Sequence, residues 1–156
     1  AMFTVTLAHT RADDLPRRPL PMTQAPSGDR LRGVTMLAVD DHGDARELCA
    51  RVLSQHGASV FTAGSAAEAL AQLDAVEPDV IVADIAMPGE DGFALVRRVR
   101  AQEAARARRA VIVALTAYVS AEERARILAA GFDAHVPKPL DADELVRTVR
   151  ALLDAR

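Results

Sequence analysis

Aromatic residues are nearly missing from this chain, which has no Trp, one Tyr and four Phe. Its core must therefore be packed from Ala, Val and Leu. Stacking platforms of the kind that hold single-stranded nucleic acid are not available. Cysteine is represented by Cys49 alone. That excludes an internal disulfide framework and fits a reducing compartment. Lysine is just as scarce: of 19 basic residues, 18 are Arg and one is Lys138. No apolar run approaches the roughly 20 residues that span a bilayer. Phe3 to Ala8 is too short, and lacks the basic flank, for a secretory signal. No Gly-rich stretch precedes a Gly-Lys-Ser/Thr triplet, so a P-loop is excluded. The net charge of −3 gives no general attraction for nucleic acid.

What remains is enough for one domain and an appendage. Half of the 156 residues are hydrophobic, and a domain of about 120 residues can bury a proper core. Ala1-Met2 reads as a tag scar, and Phe3-Thr-Val-Thr-Leu7 alternates like a short strand. Pro16, Pro19, Pro21 and Pro26 then break any periodicity, so residues 8–33 read as an extended linker. Charge divides at the same place. Residues 1–33 carry five Arg and three Asp, net +2, whereas residues 34–156 carry 14 basic and 19 acidic groups, net −5. The folded domain is expected at 34–156, with residues 1–33 dispensable for folding.

From Thr35 onward, strands and helices alternate. Thr35–Val39 is a strand ending at Asp40-Asp41. A helix is expected over Ala45–Gln55, stopped by His56-Gly57. Ser59–Ala63 is a second strand. Ser65 and Glu68 form a capping box for a helix to about Leu73. Val80–Asp84 is wholly apolar up to its carboxylate, as suits a strand buried on both faces of a parallel sheet. Met87-Pro88-Gly89 turns the chain, and Asp91 caps the next helix. Ala110–Leu115 is a fourth strand. A helix capped by Ser120 and closed by Gly131 follows it. Asp133–Val136 is a fifth strand, and Asp141 caps a last helix to about Leu153. Five strands alternating with five helices predict βαβ units and a parallel sheet.

Parallel strands deliver their carboxyl ends to one edge, where ligands bind in open α/β sheets. Asp40, Asp41, Asp84, Thr116 and the lone Lys138 all leave strands there. Two carboxylates about 4 Å apart repel by roughly 4 kcal/mol at a surface-like dielectric. Three of them call for a cation, and an all-oxygen donor set suits Mg²⁺. An ammonium and a hydroxyl can then neutralise and hydrogen-bond a phosphoryl group carried on a carboxylate.

Val39-Asp40-Asp41, Asp84-Ile-Ala-Met87-Pro88-Gly89 with Asp91-Gly92, Leu115-Thr116-Ala117 and Lys138-Pro139 together resemble the receiver domains of two-component response regulators. The resemblance covers residues 34–156. It implies a flavodoxin-like doubly wound sheet of order 2-1-3-4-5 with helices on both faces. It implies Asp84 as phosphoryl acceptor, with Asp41 and Asp84 as direct Mg²⁺ ligands. The Ala86 carbonyl and the outer-shell carboxylate of Asp40 complete that implied set. Thr116 resembles the switch hydroxyl and Lys138 the phosphate-binding cation. The implied donor is a histidine kinase or a histidine phosphotransfer protein. Neither nucleic acid nor membrane contact is expected through this chain. A monomer or weak dimer in the cytoplasm is expected. Phe3–Leu7 followed by a Pro-rich linker also resembles the order found in hybrid histidine kinases.

One position departs from the family. Three residues before the lysine, receivers usually carry Tyr or Phe; here His135 stands, as a switch residue or as a partly exposed strand-end His. His42, beside the acidic pair, is expected to be a solvated helix-start residue, since Asp-rich sites prefer hard Mg²⁺. Cys49 lies on an apolar helical stripe and reads as inert core. Arg97, Arg98, Arg100, Arg106, Arg108 and Arg109 read as a solvated surface. Two rival functions are a degenerate receiver that only binds proteins and a Mg²⁺-dependent phosphohydrolase with an Asp nucleophile. The intact acidic triad, Thr116 and Lys138 oppose the first. Ala86 opposes the second, because such hydrolases commonly need an acid two residues after the nucleophile.

Overall fold

A computed structural model describes residues 30–156, apart from Pro88, Glu90, Ala107, Tyr118 and Val119. In chain order the elements are β1 (Thr35–Val39), α1 (Gly43–Gln55), β2 (Ser59–Ala63), α2 (Ala66–Val76) and β3 (Val80–Asp84). They continue with α3 (Gly92–Glu103), β4 (Val111–Thr116), α4 (Ala121–Ala130), β5 (Ala134–Pro137) and α5 (Ala142–Asp154). The strands form one sheet of order β2-β1-β3-β4-β5 with every pairing parallel. This is the expected 2-1-3-4-5 doubly wound fold.

The burial of the strands explains their composition. β3 and β4 are buried at every position, so Val80-Ile-Val-Ala and Val111-Ile-Val-Ala-Leu have no polar face. β2 lies at the sheet edge and is largely exposed, including Phe61. Two apolar layers cover the sheet. Leu37, Ile81, Leu95, Val96 and Ile112 lie in one, and Met36, Leu53, Val82, Val113 and Leu145 in the other. Each such side chain contributes roughly 1.5–3 kcal/mol when removed from water.

All four expected helix caps form. Ser65 Oγ accepts from Glu68 N–H at 3.1 Å, and Ser120 Oγ from Glu123 N–H at 3.0 Å. Asp91 Oδ1 accepts from Ala94 N–H at 2.9 Å, and Asp141 Oδ1 from Glu144 N–H at 3.0 Å. Two helix ends differ from the sequence expectation. α1 starts at Gly43 rather than Ala45, because Asp40 and Arg46 hold the first turn in place. α2 runs on to Val76, and Glu77 closes it in the left-handed region at φ 47°. A non-Gly residue there leaves no signal in the sequence.

The packed unit also begins earlier than expected. Leu31 is fully buried in the layer containing Met36 and Leu145. Its N–H donates to His56 O at 2.7 Å, and Arg150 reaches Arg30 O at 3.3 Å. Arg30–Gly33, assigned to the linker from its prolines and charge, therefore packs against the domain. Phe3–Leu7 and the four prolines lie outside the described residues.

Candidate functional site

The carboxyl ends of β1, β3, β4 and β5 bring Asp40, Asp84, Thr116 and Lys138 to one edge. Asp40 and Asp84 are almost completely buried, at 3% and 2% exposure. Lys138 Nζ lies 3.2 Å from Asp84 Oδ2 and 4.0 Å from Asp40 Oδ2. Ala86 N–H donates to Asp84 Oδ1 at 3.2 Å. Asp84 is thus gripped through both oxygens. Asp40 is gripped as well: its Oδ1 accepts from His42 N–H at 2.9 Å, and Arg46 donates to its carbonyl at 2.8 Å.

Thr116 is the last residue of β4 and is buried. Its carbonyl accepts from Lys138 N–H at 2.8 Å, so hydroxyl and ammonium are carried on joined backbone. His135 is half-buried in β5, opposite Ala114 in the strand register. The Lys138–Pro139 bond is cis. Tyr118, next to the Thr116 loop, is outside the described residues.

Asp41 Oδ1 is buried and makes no hydrogen bond among the described residues. A buried carboxylate oxygen without a donor is costly unless a cation meets it. One donor atom from each of Asp40, Asp41, His42 and Asp84 lies within 4.8 Å of all the others. The residues therefore fit a divalent cation. Sequence reasoning placed His42 outside this group. Its ring is exposed, as expected, but its Nδ1 stands 3.2 Å from Asp41 Oδ1 and 3.5 Å from Asp40 Oδ1.

Sequence reasoning missed Arg46, and quoted Gly92 in a motif without its packing role. Arg46 ties α1 to the β1 end; only its position six residues after Asp40 could have signalled this. Gly92 opens α3 directly beneath the loop that follows Asp84. A Cβ there would meet Asp84 O at 2.7 Å and Ile85 Cα at 2.8 Å. Its N–H donates to Ile85 O at 3.0 Å. Only glycine permits that approach. Cys49 lies beneath the site, and burial, with the Asp40 carboxylate as the second cause, pushes its thiol up to about 12. It is inert core, as expected.

The family model for the response regulator receiver domain matches residues 36–150. The chain belongs to this receiver family. It is 41% identical over 120 residues to a 14.6 kDa protein of Leptolyngbya boryana, covering 77% of this chain and 90% of that protein. It is 33% identical over 130 residues to hybrid signal transduction histidine kinase D of Dictyostelium discoideum. That match covers 80% of this chain but only 8% of the kinase. Among solved structures, the Vibrio cholerae chemotaxis protein CheY4 is similar with a TM-score of 0.70 and 32% identity. The overlap takes in 76% of this receiver and 97% of CheY4. No helix among the described residues is long and apolar enough to cross a membrane.

Proposed function

We propose that this receiver accepts a phosphoryl group on Asp84 from the phosphohistidine of a histidine kinase or a histidine phosphotransfer protein, in a reaction that needs Mg²⁺. One observation carries the reading. A nearly buried carboxylate sits between the only lysine and two further carboxylates, one of which has an orphaned oxygen. An Asp84 oxygen attacks the phosphorus in line with the leaving nitrogen. The O–P bond forms as the N–P bond breaks, and the imidazole keeps the electron pair and takes up a proton from solvent. Such transfer is chiefly positioning and charge neutralisation. A cation held by Asp40, Asp41, Asp84 and the Ala86 carbonyl would supply that neutralisation. Lys138 is already aimed at Asp84 and would follow the charge onto the phosphoryl oxygens. Thr116 would donate its hydroxyl to the same oxygens. Pulling Lys138 and Thr116 inward would move their joined loops and make the modification a switch, with His135 riding on β5.

The test is intact mass after treatment with acetyl phosphate. One added phosphoryl group is expected with Mg²⁺, and none in Asp84→Asn or in excess chelator. Modification of Asp84→Asn would sink the assignment of the acceptor. Modification in chelator would remove the cation from the reaction. A purely protein-binding receiver would remain unmodified throughout.

A further inference from the structure

His42 is bound to the site in ways that its ordinary role does not require. It occupies the N-cap position of α1, yet its side chain makes no capping bond. Its main-chain N–H is tied to Asp40 Oδ1, which fixes where the ring begins. The ring then turns towards the carboxylates, although 71% of the side chain is open to solvent. Nδ1 comes within 3.2 Å of Asp41 Oδ1, but that oxygen still makes no hydrogen bond. A ring nitrogen and a carboxylate oxygen at this separation match two neighbouring ligands of one ion. Adjacent donors around an octahedral ion with bonds of about 2.1 Å are about 3 Å apart.

We propose that His42 Nδ1 is a ligand of the divalent cation held by Asp40, Asp41 and Asp84, and that it tilts the site from Mg²⁺ towards Mn²⁺ and its first-row neighbours. The chemistry of the donors gives the direction. Mg²⁺ is hard, holds its waters and favours oxygen ligands. Imidazole nitrogen suits first-row transition ions better than it suits Mg²⁺, Mn²⁺ being the weakest of that series. A set of carboxylates alone suits Mg²⁺ and Mn²⁺ alike. His42 is thus a specificity-determining residue, and the inference rests on reading the carboxylates as a cation site.

The experiment uses the full chain at about pH 8, since a metal-bound imidazole must be deprotonated. Mn²⁺ binding is followed by the electron paramagnetic resonance of the free ion, and Mg²⁺ binding by competition. Pulsed resonance on the bound Mn²⁺ reads coupling to a directly bound nitrogen. Wild type is expected to show that coupling. In His42→Gln the coupling should vanish and Mn²⁺ affinity should fall about tenfold, with Mg²⁺ affinity within about twofold of wild type. Absence of nitrogen coupling in wild type would overturn the proposal. So would coupling that survives in His42→Gln, or equal losses for both ions. Asp41→Asn separates this from the underlying reading. If Mn²⁺ binds wild type and Asp41→Asn alike, the carboxylates are not the cation site and both inferences fall.

Discussion

At the amino-terminal edge of the sheet, Arg100 sits among two carboxylates and two carbonyls. It donates to Glu103 and Asp133 at 2.7 Å each, to Ala110 O at 2.7 Å and to Gly131 O at 3.0 Å. Asp133 Oδ2 also accepts from Ile112 N–H, and Arg109 approaches its other oxygen at 3.2 Å. Asp79 pairs with Arg108 and accepts from Thr35 N–H. Three guanidinium groups there face three carboxylates. At the carboxyl-terminal edge, one ammonium, Lys138, faces Asp84 and Asp40, the His42 ring stands beside Asp40 and Asp41, and the buried Asp41 Oδ1 accepts no hydrogen bond. At the amino edge these described carboxylates each meet a guanidinium, and Arg100 joins α3 to the starts of β4 and β5. The carboxyl edge is left short of positive charge, a cost that folding alone does not explain. Charge balance thus separates scaffold from site in the same sheet.

The largest effect should come from unbalancing the balanced edge. Arg100→Ala takes the shared guanidinium from two carboxylates and two carbonyls, at a side chain only 16% exposed. A loss of about 4 kcal/mol is expected in urea unfolding. A change under about 1 kcal/mol would mean that the network is ordinary surface pairing. Next comes the bolt beneath the same edge. A chain beginning at Gly33 lacks Leu31 and should lose about 3 kcal/mol, as for an emptied core site. A chain beginning at Arg30 should unfold like the full sequence. Equal stability of the two truncated chains would return Arg30–Gly33 to the linker.

The comparison is sharpest when one chemical change is made at both edges. Asp133→Asn removes a charge that two Arg side chains face, and a loss of about 2 kcal/mol is expected. Asp41→Asn removes a carboxylate whose buried Oδ1 accepts no hydrogen bond and should stabilise the chelated protein by about 1 kcal/mol. Mg²⁺ should then reverse the order, because binding stabilises wild type by mass action. The same sign at both edges in chelator would break the contrast between them.

The carboxyl edge was readable from sequence because strand ends are. Apolar runs stop at Asp40 and Asp84, and parallel pairing does the assembling. The five strands and the four caps were readable for the same reason, since period and cap chemistry are local, whereas the order of the strands came from the resemblance to receiver domains. The amino edge was not readable. Arg100 and its neighbours read as solvated because Arg usually is, and their partners Asp79 and Asp133 are distant in sequence. Leu31 was hidden by the prolines before it. His42 was read by the preference of Mg²⁺ for oxygen, while the direction of its ring is a tertiary fact.

The effect that is absent at neutral pH and grows only in alkali shows how far the unbalanced charge reaches into the core. Cys49 is buried in α1 beneath Asp40, and its thiol is raised from 9.0 to about 12. Burial is the larger cause and the Asp40 carboxylate the smaller. In the unfolded chain the thiol ionises at its ordinary value, whereas in the folded chain it keeps its proton. The stabilisation is therefore fully present below about pH 9 and is lost as pH rises towards 12. Cys49→Ala should flatten the alkaline fall in unfolding free energy by up to about 1.4 kcal/mol per pH unit. Asp40→Asn should move the thiol titration downward without restoring it, since burial remains. Thiolate absorbance and unfolding measured across that range in the three proteins decide the matter. If Cys49 titrates near its ordinary value in the folded wild type, neither burial nor the Asp40 charge governs it, and the carboxyl edge does not act on the core below it.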